Sequence, residues 1–176
     1  MKKLLSMLLL VSMVICLAAC GRKDDDQNTT PAGKESVIIP EVTEDTMGSA
    51  LWDSFLSMMT ADPEKSALDI ANALAEDPVI QFMPDSAEAE PGLLAGFSTE
   101  ISGFKSGASF GPKMSSIAFI GYVFELEDGA DVNAFIATLT ENSDPRWGIC
   151  VEAEQTVVGA YNNMVFFLMC PASNEG

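Results

Sequence analysis

Several serine, lysine and carboxylate residues in this 176-residue chain stand at spacings that support hydrolytic chemistry in other proteins. Gly107-Ala108-Ser109-Phe110-Gly111 has the G-x-S-x-G spacing of a nucleophile elbow. In that motif a strand-to-helix turn exposes a serine to a histidine base. The chain has no histidine. Pro112 follows at once and no helix pattern continues the run, so chance in a Gly/Ser-rich segment explains it better. Ser102-Gly103-Phe104-Lys105 has the S-x-x-K spacing, in which a lysine activates a serine without histidine. That arrangement stands at a helix start and needs further separate motifs. Gly103 weakens a helix, and Lys105-Ser106-Gly107 overlaps the first motif instead of standing apart.

Carboxylates occur in two groups, Glu125/Glu127-Asp128 and Glu152/Glu154. Alternation along a strand puts Glu125 with Glu127, and Glu152 with Glu154, on one face. Such pairs suit a glycosidase or an oxygen-ligand site for Ca²⁺; solvated charge on a strand face or turn is the simpler explanation. Asp128-Gly129-Ala130-Asp131 lacks the ligand spacing of an EF-hand, and no metal-binding residues are assigned. Trp147 stands in a loop after Asp144-Pro145-Arg146, and loops carry contacts more often than core positions do. Arg146 and Trp147 are therefore the candidate contact surface. Trp52, in an apolar helical stripe, is expected to pack in the core.

Four cysteines are present, Cys16, Cys20, Cys150 and Cys170. The last two are a candidate disulfide if the chain is exported. A hairpin about Asn162-Asn163 puts Cys170 opposite Gln155, so the bond requires a bend or bulge near Ala153–Gln155; two buried free thiols are the alternative. No Cys-x-x-Cys occurs, which argues against a redox role.

These residues need a scaffold, and the patterning supplies one. Leu51, Trp52, Phe55, Leu56 and Met59 recur at helical spacing over 48–60. A second helix is expected from Asp62-Pro63, with Ala67, Ile70, Ala71 and Leu74 as its buried stripe. Val79 to Met83 reads as a short strand. Residues 84–116, rich in glycine and proline, allow short strands near 93–98 and 100–106. Ile117 to Leu126 is a buried strand. Val132, Phe135, Ile136 and Leu139 mark a third helix, and Thr156 to Tyr161 and Met164 to Cys170 form a hairpin. The fold class is α+β: an antiparallel sheet with two N-terminal helices and one inserted helix packed on one face, ending in a β-α-β-β unit.

The N-terminus reads as an address. Lys2 and Lys3 precede an apolar run from Leu4 to Leu17 of about 14 residues, short of the roughly 20 a membrane span needs. Leu17-Ala18-Ala19-Cys20 closes it. Domain limits follow: 1–19 a signal peptide, 20–46 an acidic flexible linker, 47–176 one extracytoplasmic domain. Within the linker, Val37 to Ile39 is the one apolar stretch and could dock as an edge strand.

Charge narrows the partners. The formal net charge is −17, with 9 basic and 26 acidic residues. Lys2 and Lys3 would leave with the leader, so seven basic residues would face all 26 acidic ones, a net charge of −19. Nucleic acid is excluded as a partner class, because phosphate affinity needs clustered lysine and arginine.

The Leu17-Ala18-Ala19-Cys20-Gly21 run resembles the lipobox of bacterial lipoproteins. With the acidic linker, Ile120-Gly121-Tyr122-Val123-Phe124, Asn142 to Trp147 and Asn163 to Pro171, the layout is similar to small lipoproteins of unknown function in Gram-positive gut bacteria. The resemblance implies lipidation of Cys20 and cleavage before it. It implies a lipid-anchored body on the extracytoplasmic side of the cell membrane, with no cofactor beyond that covalent lipid. It carries no activity. The expected function is a non-enzymatic binding module for a protein, peptide or envelope component. A carboxylate-dependent hydrolase of envelope glycan, or a carrier of a small ligand or Ca²⁺, is the alternative.

Overall fold

A computed structural model describes residues 35–42, 45–113, 117–148 and 150–172. Cys20 and the leader lie outside the described residues. The protein is α+β, with three helices and eight strands among the described residues, in chain order: β1 (Val37–Ile38), α1 (Met47–Ala61), α2 (Ala67–Ala75), β2 (Pro84–Glu88), β3 (Gly92–Leu93), β4 (Glu100–Ile101), β5 (Ser106–Pro112), β6 (Ile120–Glu125), α3 (Val132–Asn142), β7 (Gln155–Tyr161) and β8 (Met164–Cys170). Six strands form one antiparallel sheet in the order β1-β7-β8-β6-β5-β2, and β3 pairs with β4 separately.

Side-chain oxygens fix the helix starts. Thr46 and Ser49 exchange bonds in a capping box at α1 (3.2 and 3.0 Å). Ser66 Oγ accepts from Asp69 N (3.1 Å) at α2, and Asp131 Oδ1 accepts from Ala134 N (3.0 Å) at α3. The second helix thus begins at Ala67, not at Pro63. Asp62 is already the C-cap of α1, its N–H bonded to the Met58 carbonyl (2.9 Å), so the chain turns before a new helix starts at Ser66. The strand expected at Val79 to Met83 is also absent. Asp77 turns the chain there, accepting from Val79 N (2.9 Å) and from Ser54 Oγ (2.6 Å). The ladder resumes at Pro84.

The helices do not share one face. Strand β8 is buried at all seven positions. Met164, Phe166, Leu168 and Cys170 project to one side, and Val165, Phe167 and Met169 to the other. Helices α1 and α2 cover the first side, over Phe110, Val123 and Phe166. Helix α3 covers the second through Phe135 and Leu139. An apolar strand alternating in both directions must be roofed twice, which is why the inserted helix crosses to the opposite face. Phe97, Ile101 and Phe104, in the connection between β3 and β5, complete the second roof. The Phe97 ring packs at a tilt against Phe167 (centroids 4.7 Å) and Phe104 against Phe124 (4.9 Å).

Two close approaches depend on glycine. Phe110 lies directly across from Gly121, its ring on the space a Cβ would take. Gly96, at φ +88°, lets its loop sit against Met169. The β7–β8 turn uses Asn162 at φ +52°. Strand β1 pairs Val37 with Tyr161 and Ile38 with Ala160, so the ordered body begins inside the span expected to be linker.

Candidate functional site

On the second face the roof stops short. Helix α3 lies over β7 and β8, and the Phe97–Phe104 segment over β6 and β8. Strands β5 and β2 continue beyond them. Their outer-face residues are small, Ser109 and Gly111 on β5 opposite Ala87 and Asp85 on β2. The result is a groove of about 320 Å³ with those residues as floor. Ala95, Ile120 and Trp147 form its wall, and Lys113 stands with Asp85 at the rim, their charged atoms 3.8 Å apart.

The wall is held from both sides. Tyr122, next to the groove on β6, donates its hydroxyl to the Ala95 carbonyl (2.9 Å). Burial raises the pKa of that phenol, so it remains a donor at any physiological pH. The Ala95 loop is also laced to the end of α3: Asp144 N donates to Gly96 O (2.8 Å) and Ser98 N to Asn142 O (2.9 Å). Asp144 then starts a turn in which Trp147 N donates to Asp144 O (3.1 Å), with Pro145 at the second position. Ala153 N closes back on the Pro145 carbonyl (2.9 Å). A proline turn pinned at three points sets the indole beside the groove.

The candidate pair Arg146 and Trp147 therefore separates. Trp147 lines the groove, half-buried. Arg146 points elsewhere, paired with Glu152 (2.8 Å), its side chain 75% exposed. Trp52 is in the core between Phe55 and Phe166, as its stripe implied.

The other chemical candidates are dispersed. Ser109 sits in the middle of β5 and donates to the Ala87 carbonyl (3.4 Å), so the G-x-S-x-G run is a flat strand, not an elbow. Lys105 binds Glu125 (2.6 Å), which also accepts from Ser106 Oγ (2.8 Å). The Lys105 hydrogen bond, then the Ser106 one, holds the Glu125 carboxyl below the usual carboxylate range. Glu152 is taken by Arg146, and Glu154 accepts from Ala172 N (2.8 Å). None of these three carboxylates lines the Trp147 groove. A second groove, about 340 Å³, is bordered by Ser66–Leu68, Glu88–Pro91 and Phe104–Gly107. Among the described residues no group of three His, Cys, Asp or Glu is arranged to hold a metal ion. No described helix is long and apolar enough to cross a membrane.

Cys150 and Cys170 are both free thiols, Cys150 exposed and Cys170 buried. The expected disulfide is not formed. Cys170 pairs in register with Gln155 and faces the α1 side, its Sγ 3.9 Å from Gln155 Oε1. Burial, with a smaller effect of Glu154, pushes its pKa up to about 12.

Sequence reasoning missed the groove floor. Ser109 and Gly111, alternating through β5, were the available signal: small residues on one face of a strand leave a depression. No protein-family model matches the chain, and no curated protein or solved structure matches it. Function must therefore be argued from the site.

Proposed function

We propose that this protein is a membrane-tethered extracytoplasmic lipoprotein whose body is a non-enzymatic binding module, with the groove beside Trp147 as its binding site. The observation that carries the reading is the groove: a preformed cleft, walled by an aromatic ring held in a pinned turn, on an otherwise roofed sheet face. Clefts of this size with a few polar groups at the rim suit a small ligand or a short segment of a larger one. Ser109, the groove hydroxyl with a hydrolase-like spacing, donates to the Ala87 carbonyl, while the Asp85 carboxylate and the Lys113 amine in the same groove pair with each other. Binding is what this arrangement can do.

Strand β1 and the groove lie at opposite ends of the sheet. The chain enters at β1, one edge, while the groove spans β5 and β2 at the other. Five strand spacings of about 4.8 Å make this separation roughly 24 Å.

Two experiments test the reading. Cys20→Ser should move the protein from the membrane to the soluble fraction and remove metabolic labelling by palmitate; membrane retention of the variant would refute the anchor. Trp147 emission, followed during titration with envelope-derived peptides and glycans, should shift on binding. Ser109→Phe, which fills the groove, should abolish that shift without lowering the melting temperature by more than a few degrees. Equal binding by the filled variant would refute the site.

A further inference from the structure

Strand β2 closes the sheet, and its outer side pairs with no strand among the described residues. Ala89 N donates to Gly107 O (2.8 Å), and Lys113 N donates to Met83 O (3.3 Å). Hydrogen-bonded pairs recur every second residue in an antiparallel ladder. Met83, Asp85, Ala87 and Ala89 therefore turn their N–H and C=O groups inward to β5. Pro84, Ser86 and Glu88 turn theirs outward. Pro84 has no N–H to offer, which fits an edge position. Ser86 and Glu88 present two donors and two acceptors along one line.

The surroundings of this line are not neutral. Glu88 and Glu90 make no ion pair among the described residues, while Lys105, Lys113 and Arg146 are each paired. Asp85 meets its lysine only loosely. Residues 85–87 border the Trp147 groove, and residues 88–91 border the second groove. An edge whose charged side chains without an ion pair among the described residues are Glu88 and Glu90 repels a second copy of this chain, which carries a net charge of −17. It attracts a basic one.

We propose that the β2 edge binds an extended, basic polypeptide segment as an added seventh strand, with the segment's apolar side chains entering the Trp147 groove and its lysines or arginines meeting Glu88 and Glu90 on the opposite face. The proposal rests on the groove being a binding site and names the class of its partner. Main-chain bonds to Ser86 and Glu88 supply register, and alternate side chains supply selectivity, as in other strand-addition complexes.

The test reads the outward amides themselves. The full chain in mild detergent is titrated with a capped hexapeptide of alternating lysine and leucine. The controls are its glutamate–leucine counterpart and a version N-methylated on alternate residues. Hydrogen exchange at the Ser86 and Glu88 amides should slow at least tenfold with the lysine peptide and remain unchanged with either control, and Glu88→Lys should weaken binding at least tenfold. Unprotected Ser86 and Glu88 amides at saturating peptide would overturn strand addition. If Trp147 emission still shifts in that case, the groove survives as a binding site and only the added strand is wrong. Equal binding of the N-methylated peptide would show charge attraction alone and also overturn the proposal.

Discussion

Replacing Gly121 with alanine should be among the most damaging single-methyl additions to this protein, and only because Phe110 is there. A Cβ at Gly121 falls on three ring carbons of Phe110, the farthest 2.7 Å away. Unstrained carbon contacts begin at about 3.5 Å. The ring cannot retreat: it is 1% exposed and enclosed by Phe119 and Phe166, with centroids 5.8 and 6.4 Å away. Overpacking a full core costs about 1–3 kcal/mol, and an aromatic ring with no free volume beside it belongs at the upper end, about 3 kcal/mol. For a body of this size that is a fall of about 10 °C in Tm. Phe110→Ala alone should cost about 3–5 kcal/mol. In that background the added methyl enters vacated space and should cost about 0 kcal/mol, so the double variant falls short of additivity by about 3 kcal/mol. Gly111→Ala is the control, since its nearest neighbour would be at 3.4 Å; it should change stability by less than about 0.5 kcal/mol. Urea unfolding followed by the buried Trp52 measures all four proteins. An equal cost for Gly121→Ala with and without Phe110 would refute the reasoning, and with it the reading of Gly107 to Gly111 as packed strand.

Two further outcomes follow from the side-chain environments. Of Cys150 and Cys170, Cys150 should react rapidly with a maleimide in the native protein while Cys170 reacts only on unfolding; fast labelling at both positions, or at neither with a disulfide-linked Cys150–Cys170 peptide, would contradict the buried and exposed placements. The folded-state pKa of Glu125 is depressed, by Lys105 first and Ser106 second, so its contribution to stability is complete above the ordinary carboxylate range and is lost as pH falls through the lowered value. The difference in urea midpoint between wild type and Glu125→Gln should accordingly be present at pH 7 and vanish at low pH, where both side chains are neutral; a difference that persists there would refute the ion-pair explanation.

Much of this architecture was legible because its signals are local. The stripe from Leu51 to Met59, the spacing of Val132 to Leu139 and the two apolar runs around Asn162-Asn163 specify α1, α3 and the β7–β8 hairpin with little help from the rest of the chain. The failures depend on distant partners. Nothing near Val132 says which face of the sheet α3 will roof; that is decided by β8, whose seven buried residues point both ways. The run from Gly107 to Gly111 looks like a loop until Phe110 is seen to need Gly121 across the ladder. Trp147 was identified from its loop, but its groove was not, because Ile120, Ser109 and Ala87 come from three strands that only the fold brings together. Arg146 shared the same loop and was drawn away by Glu152, a pairing that turn geometry decides.

Site-specific photo-crosslinking in growing cells tests most directly whether the groove is where this body binds. A photoreactive residue replaces Ala87, exposed on the groove floor, or Glu141, exposed on α3. The account predicts a discrete adduct from position 87 that disappears when Ser109→Phe fills the groove, and none of the same mass from position 141. The same adducts from both positions, or an adduct at 87 that survives the filled groove, would contradict it.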